Sequence, residues 1–270
     1  MPAKTVKDLI DFNNSVPDKF KVKVKIIKTK VYSEASFVDA TTGNQLFQHD
    51  SKREEYYGTR IGFELEKGSE VGLSRYIDPK NKPTYPWGRA SCKENTSKDT
   101  YNCHNAWFIG AADAAKGYGP MLYDCLLAKL GEEKLGLISD RSLVSPLAAK
   151  VWVEYLTSRP DVRKEPLDFD KSTPQTEDDC YQKHATNTSW NAWINDPEKE
   201  EGQDEEEYEK KKEDYRLMRT AVKWAYFDNG ITTLKELRDA GLLVEDIYEN
   251  TNDLKELQKL YESFLKQIKG

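Results

Sequence analysis

Apolar and polar positions change period several times along the chain. From Phe20 to Val31 the run FKVKVKIIKTKV alternates Lys with Val and Ile. A period of two predicts a strand with one face buried and its lysine face in water. ASFVDATTGNQLFQH, from Ala35 to His49, sets a Gly43-Asn44 turn between two apolar runs and predicts a hairpin. Thr59 to Ile77 predicts a further strand pair, or a strand and loop around Gly68. Asp78 to Asn102 is rich in Pro, Lys, Asn, Ser and Thr, so a long loop is expected there.

A different order begins at Ala106. In AWFIGAADAAKGYGPMLYDCLLAKLG an apolar strand ends near Ile109, and small residues lead to Lys116-Gly117-Tyr118-Gly119-Pro120. Helical spacing then runs from Pro120 to about Leu130. Proline suits the first helical turn, where its missing N–H would have no partner anyway. LGLIS, Leu135 to Ser139, is a short apolar strand. Ser145-Pro146 opens a second helix, LAAKVWVEYL, with Ser145 as its N-cap. Strand, Gly turn, helix, strand, helix is a crossover, which implies parallel strands.

After Arg159 the periodicity loosens. PLDFDKSTPQTEDDC is expected as a polar connector. NDPEKEEGQDEEEYEKKKED, Asn195 to Asp214, is either a solvated helix or a mobile acidic linker. A helix running into Tyr215 to Tyr226 is the favoured form. Thr232 to Ile268 predicts short helices: TTLKELRDAG with a stop at Gly241, LVEDIYEN, and DLKELQKLYESFLKQI. Trp190 and Trp193 are large apolar groups in a polar segment. They suit packing on the main domain, or anchoring a partner. No internal repeat is visible.

Composition narrows the function classes. Of 270 residues, 37% are hydrophobic and 33% charged, which implies a modest core under a charged surface. The net charge of -6 argues against non-specific nucleic-acid binding, which needs clustered Lys and Arg. No apolar run approaches membrane-spanning length, and MPAKTVKDLIDFNNS lacks the apolar core of a signal peptide. No membrane association is expected. Of the four cysteines, Cys125 sits in an apolar helical pattern and reads as a core thiol. Cys103-His104 and the pair Cys180 and His184 have ligand chemistry, but no compact two-by-two zinc spacing exists, so no metal is expected. A disulfide framework is possible in principle, although nothing in the sequence points to an oxidising compartment.

The chain order resembles that of the GNAT acyltransferases. That family binds the pyrophosphate of acyl-CoA with a Q/R-x-x-G-x-G/A turn after its fourth strand. Ala114-Ala115-Lys116-Gly117-Tyr118-Gly119 occupies the same place here. Ser145-Pro146-Leu147-Ala148-Ala149-Lys150-Val151-Trp152 looks like the family's next helix. GYGPMLYD, ISDRSLVSPLAAKVW, RPDVRKEPLD and EDDC also resemble uncharacterised phage-encoded GNAT-like proteins. The likeness covers Ala106 to about Arg159 well and the N-terminal strands loosely. It does not cover Pro160 to Gly270.

The resemblance implies a mixed, mostly antiparallel sheet with a central parallel strand pair flanked by helices. Residues 1–165 would be the GNAT-like acyltransferase domain, and 166–270 a linker and helical C-terminal appendage. The implied cofactor is acetyl-CoA or CoA, and the implied activity is acyl transfer to an amine by direct attack in a ternary complex. Trp107, Phe108 and Ile109 would lie along the pantetheine arm. Lys116, Gly117, Tyr118, Gly119 and Met121 would surround the pyrophosphate, and Ser145 would line the cleft or, the favoured reading, only cap its helix. Glycines there let phosphate oxygens reach main-chain N–H groups, and the helix dipole adds positive charge. Asp140, with Arg141 and Ser142 after the second parallel strand, stands where ligands bind in such sheets and is the candidate base. Its other reading is an ion pair with Arg141 or a turn cap. Tyr155 is the candidate proton donor to the leaving thiolate, or a core aromatic. His49 and His104 are bases by chemistry alone.

Three departures weigh on this. Ala114 stands where the family has Arg or Gln, so Lys116 would supply the charge from two residues away. Pro120 removes an N–H from the helix start. Trp152 stands where many members carry a Tyr. Ala114, Trp152 and the long helical appendage together give the second expectation, a catalytically silent GNAT-fold structural or assembly protein with partners on its C-terminal helices. The expected location is cytoplasmic or a phage particle.

Overall fold

A computed structural model describes residues 3–28, 32–41, 43, 86–94, 103–140, 144–170, 172, 174, 176–180, 197–199 and 201–247. The elements in chain order are α1 (Val6–Ser15), β1 (Val22–Lys28), β2 (Tyr32–Asp39), β3 (Gly88–Lys93), β4 (Ala106–Ala114), α2 (Gly119–Gly131), β5 (Gly136–Ile138), α3 (Pro146–Thr157), β6 (Val162–Pro166), α4 (Glu205–Ala221), β7 (Trp224–Asp228), α5 (Thr233–Asp239) and β8 (Leu243–Ile247). The chain is mixed α/β. It divides into two compact units, one made of Met1–Ser91, Ala111–Leu126 and Thr232–Gly270, the other of Cys92–Gly110 and Leu127–Ile231.

In the first unit the strands run in the order β3-β2-β1-β8. β1 pairs antiparallel with β2, from Val22↔Asp39 to Lys28↔Ser33, and parallel with β8, from Val24↔Leu243 to Lys28↔Ile247. Val22, Val24 and Ile26 are fully buried, as the alternation predicts. The lysine face departs from expectation, since Lys23 and Lys25 are half-buried, and Lys28, which falls on the face of Val22, Val24 and Ile26, is buried. A strand with neighbours on both edges lays its long side chains along the sheet. Helix α1 starts at Thr5, whose hydroxyl accepts from the Asp8 N–H while the Asp8 carboxylate accepts from the Thr5 N–H. Leu9 and Phe12 point inward. Asn13 fixes the helix to the start of β1 by a buried two-point bond: its amide donates to the Val22 carbonyl at 2.9 Å and accepts from the Val22 N–H at 2.8 Å.

In the second unit the order is β6-β7-β5-β4. β4 and β5 are parallel, with Ala106↔Gly136, Trp107↔Leu137 and Phe108↔Ile138, and α2 connects them. β7 is antiparallel to β5 at Leu137↔Tyr226 and to β6 from Val162↔Asp228 to Pro166↔Trp224. Helices α3 and α4 pack together. At its core Trp152 stacks on Tyr226, with centroids 5.4 Å apart, and Tyr155 sits 5.6 Å from the same ring.

Several expectations need correction. The loop expected from Asp78 to Asn102 contains β3, whose GRASCK lacks β-branched residues but buries Ala90 and Cys92. The strand expected to end near Ile109 continues to Ala114. The helix expected to reach Tyr226 stops at Ala221, and Trp224–Asp228 is strand. Val162–Pro166, in the loosened stretch, is also strand. LVEDI is strand β8 rather than helix. Among the described residues after Pro160, three strands, β6 and β7 in one unit and β8 in the other, stand beside the helices α4 and α5. Residues on both sides of the expected 165/166 division contribute to each unit. The partner strand of the Gly43-Asn44 hairpin, the strands of Thr59 to Ile77, His49, Arg141, Ser142, His184, Trp190, Trp193 and the helix from Asp253 lie outside the described residues.

Candidate functional site

The first unit carries the Gly turn. β4 ends at Ala114, and the Ala115 N–H donates to the Trp87 carbonyl at 3.0 Å. The Tyr118 N–H then donates back to the Ala115 carbonyl at 2.9 Å, which closes a turn over Lys116 and Gly117. Gly117 has φ of 90°, a backbone region that side-chain-bearing residues avoid. Its carbonyl accepts from the Lys4 N–H at 2.9 Å, so the segment leading into α1 braces the turn.

Tyr118 is 2% exposed, edge-on to Phe37 at 5.3 Å. Burial, helped by the Asp8 carboxylate, pushes its hydroxyl up to about 12. It is therefore a neutral anchor rather than a ligand-facing acid. Met121 is likewise buried, so only its main chain remains for a ligand. Lys116 is exposed. Among the described residues the N–H groups of Lys116, Gly117 and Gly119 have no acceptor. Those at the head of α2 have none within the helix by geometry. A Cβ built on Gly119 would meet nothing within 4 Å. Packing does not require glycine there; close approach from outside would.

The second unit holds the other candidates. Trp107 and Ile109 are each 4% exposed and point into the core on one face of β4. Phe108 points to the other face, half-buried, with the Lys93 ammonium 5.0 Å from its ring centre. Asp140 is half-buried just after β5. Ser145 caps α3, its hydroxyl accepting from the Ala148 N–H at 3.2 Å. Tyr155 is 1% exposed, with the Arg159 guanidinium 5.4 Å from its ring centre. The structure brings Tyr155 together with Trp152 and Tyr226 as core.

Comparison of the chain with family models, curated proteins and solved structures finds no match in any of the three.

Two groups escaped the sequence reading. Tyr226 donates its hydroxyl proton to the Ala221 carbonyl at 2.6 Å, and its oxygen lies 3.2 Å from the Trp152 carbonyl. Burial pushes its hydroxyl far above the ordinary value. The aromatic run WAYFD was its signal, obscured by the charged helix before it. The second group is a disulfide: Cys103 and Cys180, considered above as metal ligands, are joined to each other, with Cα atoms 4.8 Å apart. Cys92 and Cys125 are buried thiols, and burial pushes the Cys125 thiol up. Among the described residues no group of His, Cys, Asp and Glu is arranged to hold a metal, and no helix is long and apolar enough to cross a membrane.

Proposed function

We propose that this chain is a GNAT-like acyl-CoA-dependent N-acyltransferase. The observation that carries the proposal is the parallel β4–β5 pair connected by the Gly turn and α2. Supporting it, β5 ends at Ile138 opposite Phe108 while β4 runs on to Ala114, so the edge of β4 that faces β5 extends past their pairing before the turn. In the GNAT reading that stretch is where a cofactor arm lies, and the turn beyond it takes the pyrophosphate.

Acyl-CoA, when bound, supplies a thioester that an amine attacks and a thiolate that leaves. The chain's part is binding and proton handling. The N–H groups of Gly117 and Gly119 donate to phosphate oxygens, and the head of α2 adds its partial positive charge. Lys116 replaces, through solvent, the charge that Ala114 does not provide. Asp140 accepts the amine proton, directly or through water. Tyr155 belongs to the aromatic core and is left out of the reaction. The net charge of -6 favours a cationic acceptor.

The test is calorimetric titration of CoA into the wild type and Gly119→Asp. Because nothing lies within 4 Å of a Cβ at Gly119, the variant keeps its fold. An acidic residue is also welcome at a helix N-terminus. Loss of two or three anion contacts, with like-charge repulsion, weakens CoA by about thirty- to a thousand-fold, or ~2–4 kcal/mol. Equal affinity in both proteins places any cofactor elsewhere and ends the reading.

The Cys103–Cys180 disulfide favours a second reading, a catalytically silent assembly protein. Disulfides persist in oxidising surroundings, a virion surface among them, and are rare in the cytosol. Turnover of acetyl-CoA with a panel of amines separates the two: CoA binding without turnover supports assembly.

A further inference from the structure

We propose that Lys4 and Asp8 are positioning residues of the Gly turn: the lead into α1 holds the Gly117–Tyr118 peptide in the orientation that leaves the neighbouring N–H groups open to an anion. The identity of the anion rests on the acyl-CoA reading; the hold itself rests on bond geometry.

A peptide group is planar, so its carbonyl and its N–H turn together. The Gly117–Tyr118 peptide is pinned at both ends. Its carbonyl accepts from the Lys4 N–H at 2.9 Å, and its N–H donates to the Ala115 carbonyl at 2.9 Å. Both pins matter because of the residue in front of them. Gly117, at φ of 90°, has no side chain to limit rotation of the peptide that follows. The residue that permits the turn would therefore also permit its reversal. On the far side Tyr118 is fixed by burial, 2% exposed and edge-on to Phe37. With the peptide between them held, the N–H groups of Gly117 and Gly119 each keep one direction. A turn that samples other orientations is competent to bind for only part of the time, and its apparent affinity falls by that fraction.

Lys4 is held in turn by Asp8. One carboxylate oxygen of Asp8 accepts from the Lys4 ammonium at 3.1 Å. The other accepts from the Thr5 N–H and the Thr5 hydroxyl, each at 2.8 Å. The Thr5 N–H, more than any other group, holds the Asp8 carboxyl below its ordinary value of 3.8. Helix α1 behind them is fixed by the Asn13 bonds to Val22 and by the buried Leu9 and Phe12. The Lys4 ammonium is thus paired with Asp8. What Lys4 gives the turn is its main-chain N–H.

The experiment compares the full chain as wild type, Lys4→Pro, Lys4→Ala and Asp8→Ala. Proline removes the N–H that the Gly117 carbonyl uses, whereas alanine keeps it. Amide exchange is read by NMR on the free chain, and CoA affinity by calorimetric titration. In Lys4→Pro, exchange at the Tyr118 N–H rises about tenfold while β1 and β2 exchange as in the wild type. CoA binds about fivefold or more weakly, the factor that the net contribution of one hydrogen bond gives. Lys4→Ala recovers most of both. Asp8→Ala, which unties Lys4 from α1 without a proline, moves both readings in the direction of Lys4→Pro and decides the matter if that variant does not fold. Tyr118 exchange unchanged in Lys4→Pro and Asp8→Ala overturns the hold. So does unchanged CoA affinity in both variants of a chain whose wild type binds CoA and whose Gly119→Asp variant does not. A wild type that binds no CoA ends the acyl-CoA reading, and with it the part of the hold in binding; the Tyr118 exchange then decides the hold by itself.

Discussion

Gly88→Ala is expected to be among the most damaging single-methyl changes in this chain. Gly88 opens β3 with φ of +128°, and a Cβ there would stand 2.4 Å from the Asp113 carbonyl oxygen, 2.5 Å from Ala114 Cα and 2.7 Å from Ala114 Cβ. The two nearest atoms are main chain at the end of β4, so no rotamer change relieves the clash. Two effects add. Placing an L residue at such a φ costs about 1–2 kcal/mol. Forcing a methyl into a packed site costs about 1–3 kcal/mol more. The sum, about 2–5 kcal/mol, is a large part of the ~5–15 kcal/mol that typically separates folded from unfolded chains. Urea unfolding followed by circular dichroism and tryptophan fluorescence reads it as a lowered midpoint. Gly119→Ala is the matched control. It adds the same methyl where nothing lies within 4 Å, and its unfolding should stay within about 0.5 kcal/mol of wild type or improve. Gly88→Ala within about 0.5 kcal/mol of wild type would refute the claim that β3 and β4 meet through this glycine.

Tyr226→Phe keeps the stacked ring but removes the proton that satisfies the Ala221 carbonyl at the end of α4. About 1–3 kcal/mol should be lost on urea unfolding. Asp161 is held below its ordinary value of 3.8 by hydrogen bonds from the Arg159 guanidinium at 2.8 and 2.7 Å. A lowered folded value means that its stabilisation is full above the unfolded value and is lost as pH falls through the folded one. The stability gap between wild type and Asp161→Asn should therefore be constant near neutrality and narrow below about pH 4. A gap that widens on acidification would reverse the sign of the argument.

The sequence by itself determined the elements whose signals are local. Alternation over VKVKIIK is enough for β1, and a Pro one step after Gly119 is enough to start α2. Ser145 announces α3, and the crossover order makes β4 and β5 parallel. Each depends on neighbours within a few residues, or on a chirality rule that applies to any chain. The Gly turn of the candidate site was legible for the same reason.

Tertiary structure alone decided the rest. LVEDI has no clean period, and its Leu and Glu suit a helix. Pairing with β1, more than two hundred residues earlier, makes it a strand because the main-chain groups of β1 need partners on that edge. WAYFD becomes β7 because β5 and β6 lie on either side of it. Gly88 needs to be glycine only because Asp113 and Ala114 pass beside it. Whether Tyr155 faces a ligand or the core depends on Tyr226, which comes from a distant strand. Cys103 and Cys180 are 77 positions apart, and the sequence argued against a metal site while leaving a disulfide possible only in principle; the fold brings their Cα atoms to 4.8 Å and makes them a disulfide. In each case the deciding contact is non-local, so no window of sequence contains both partners.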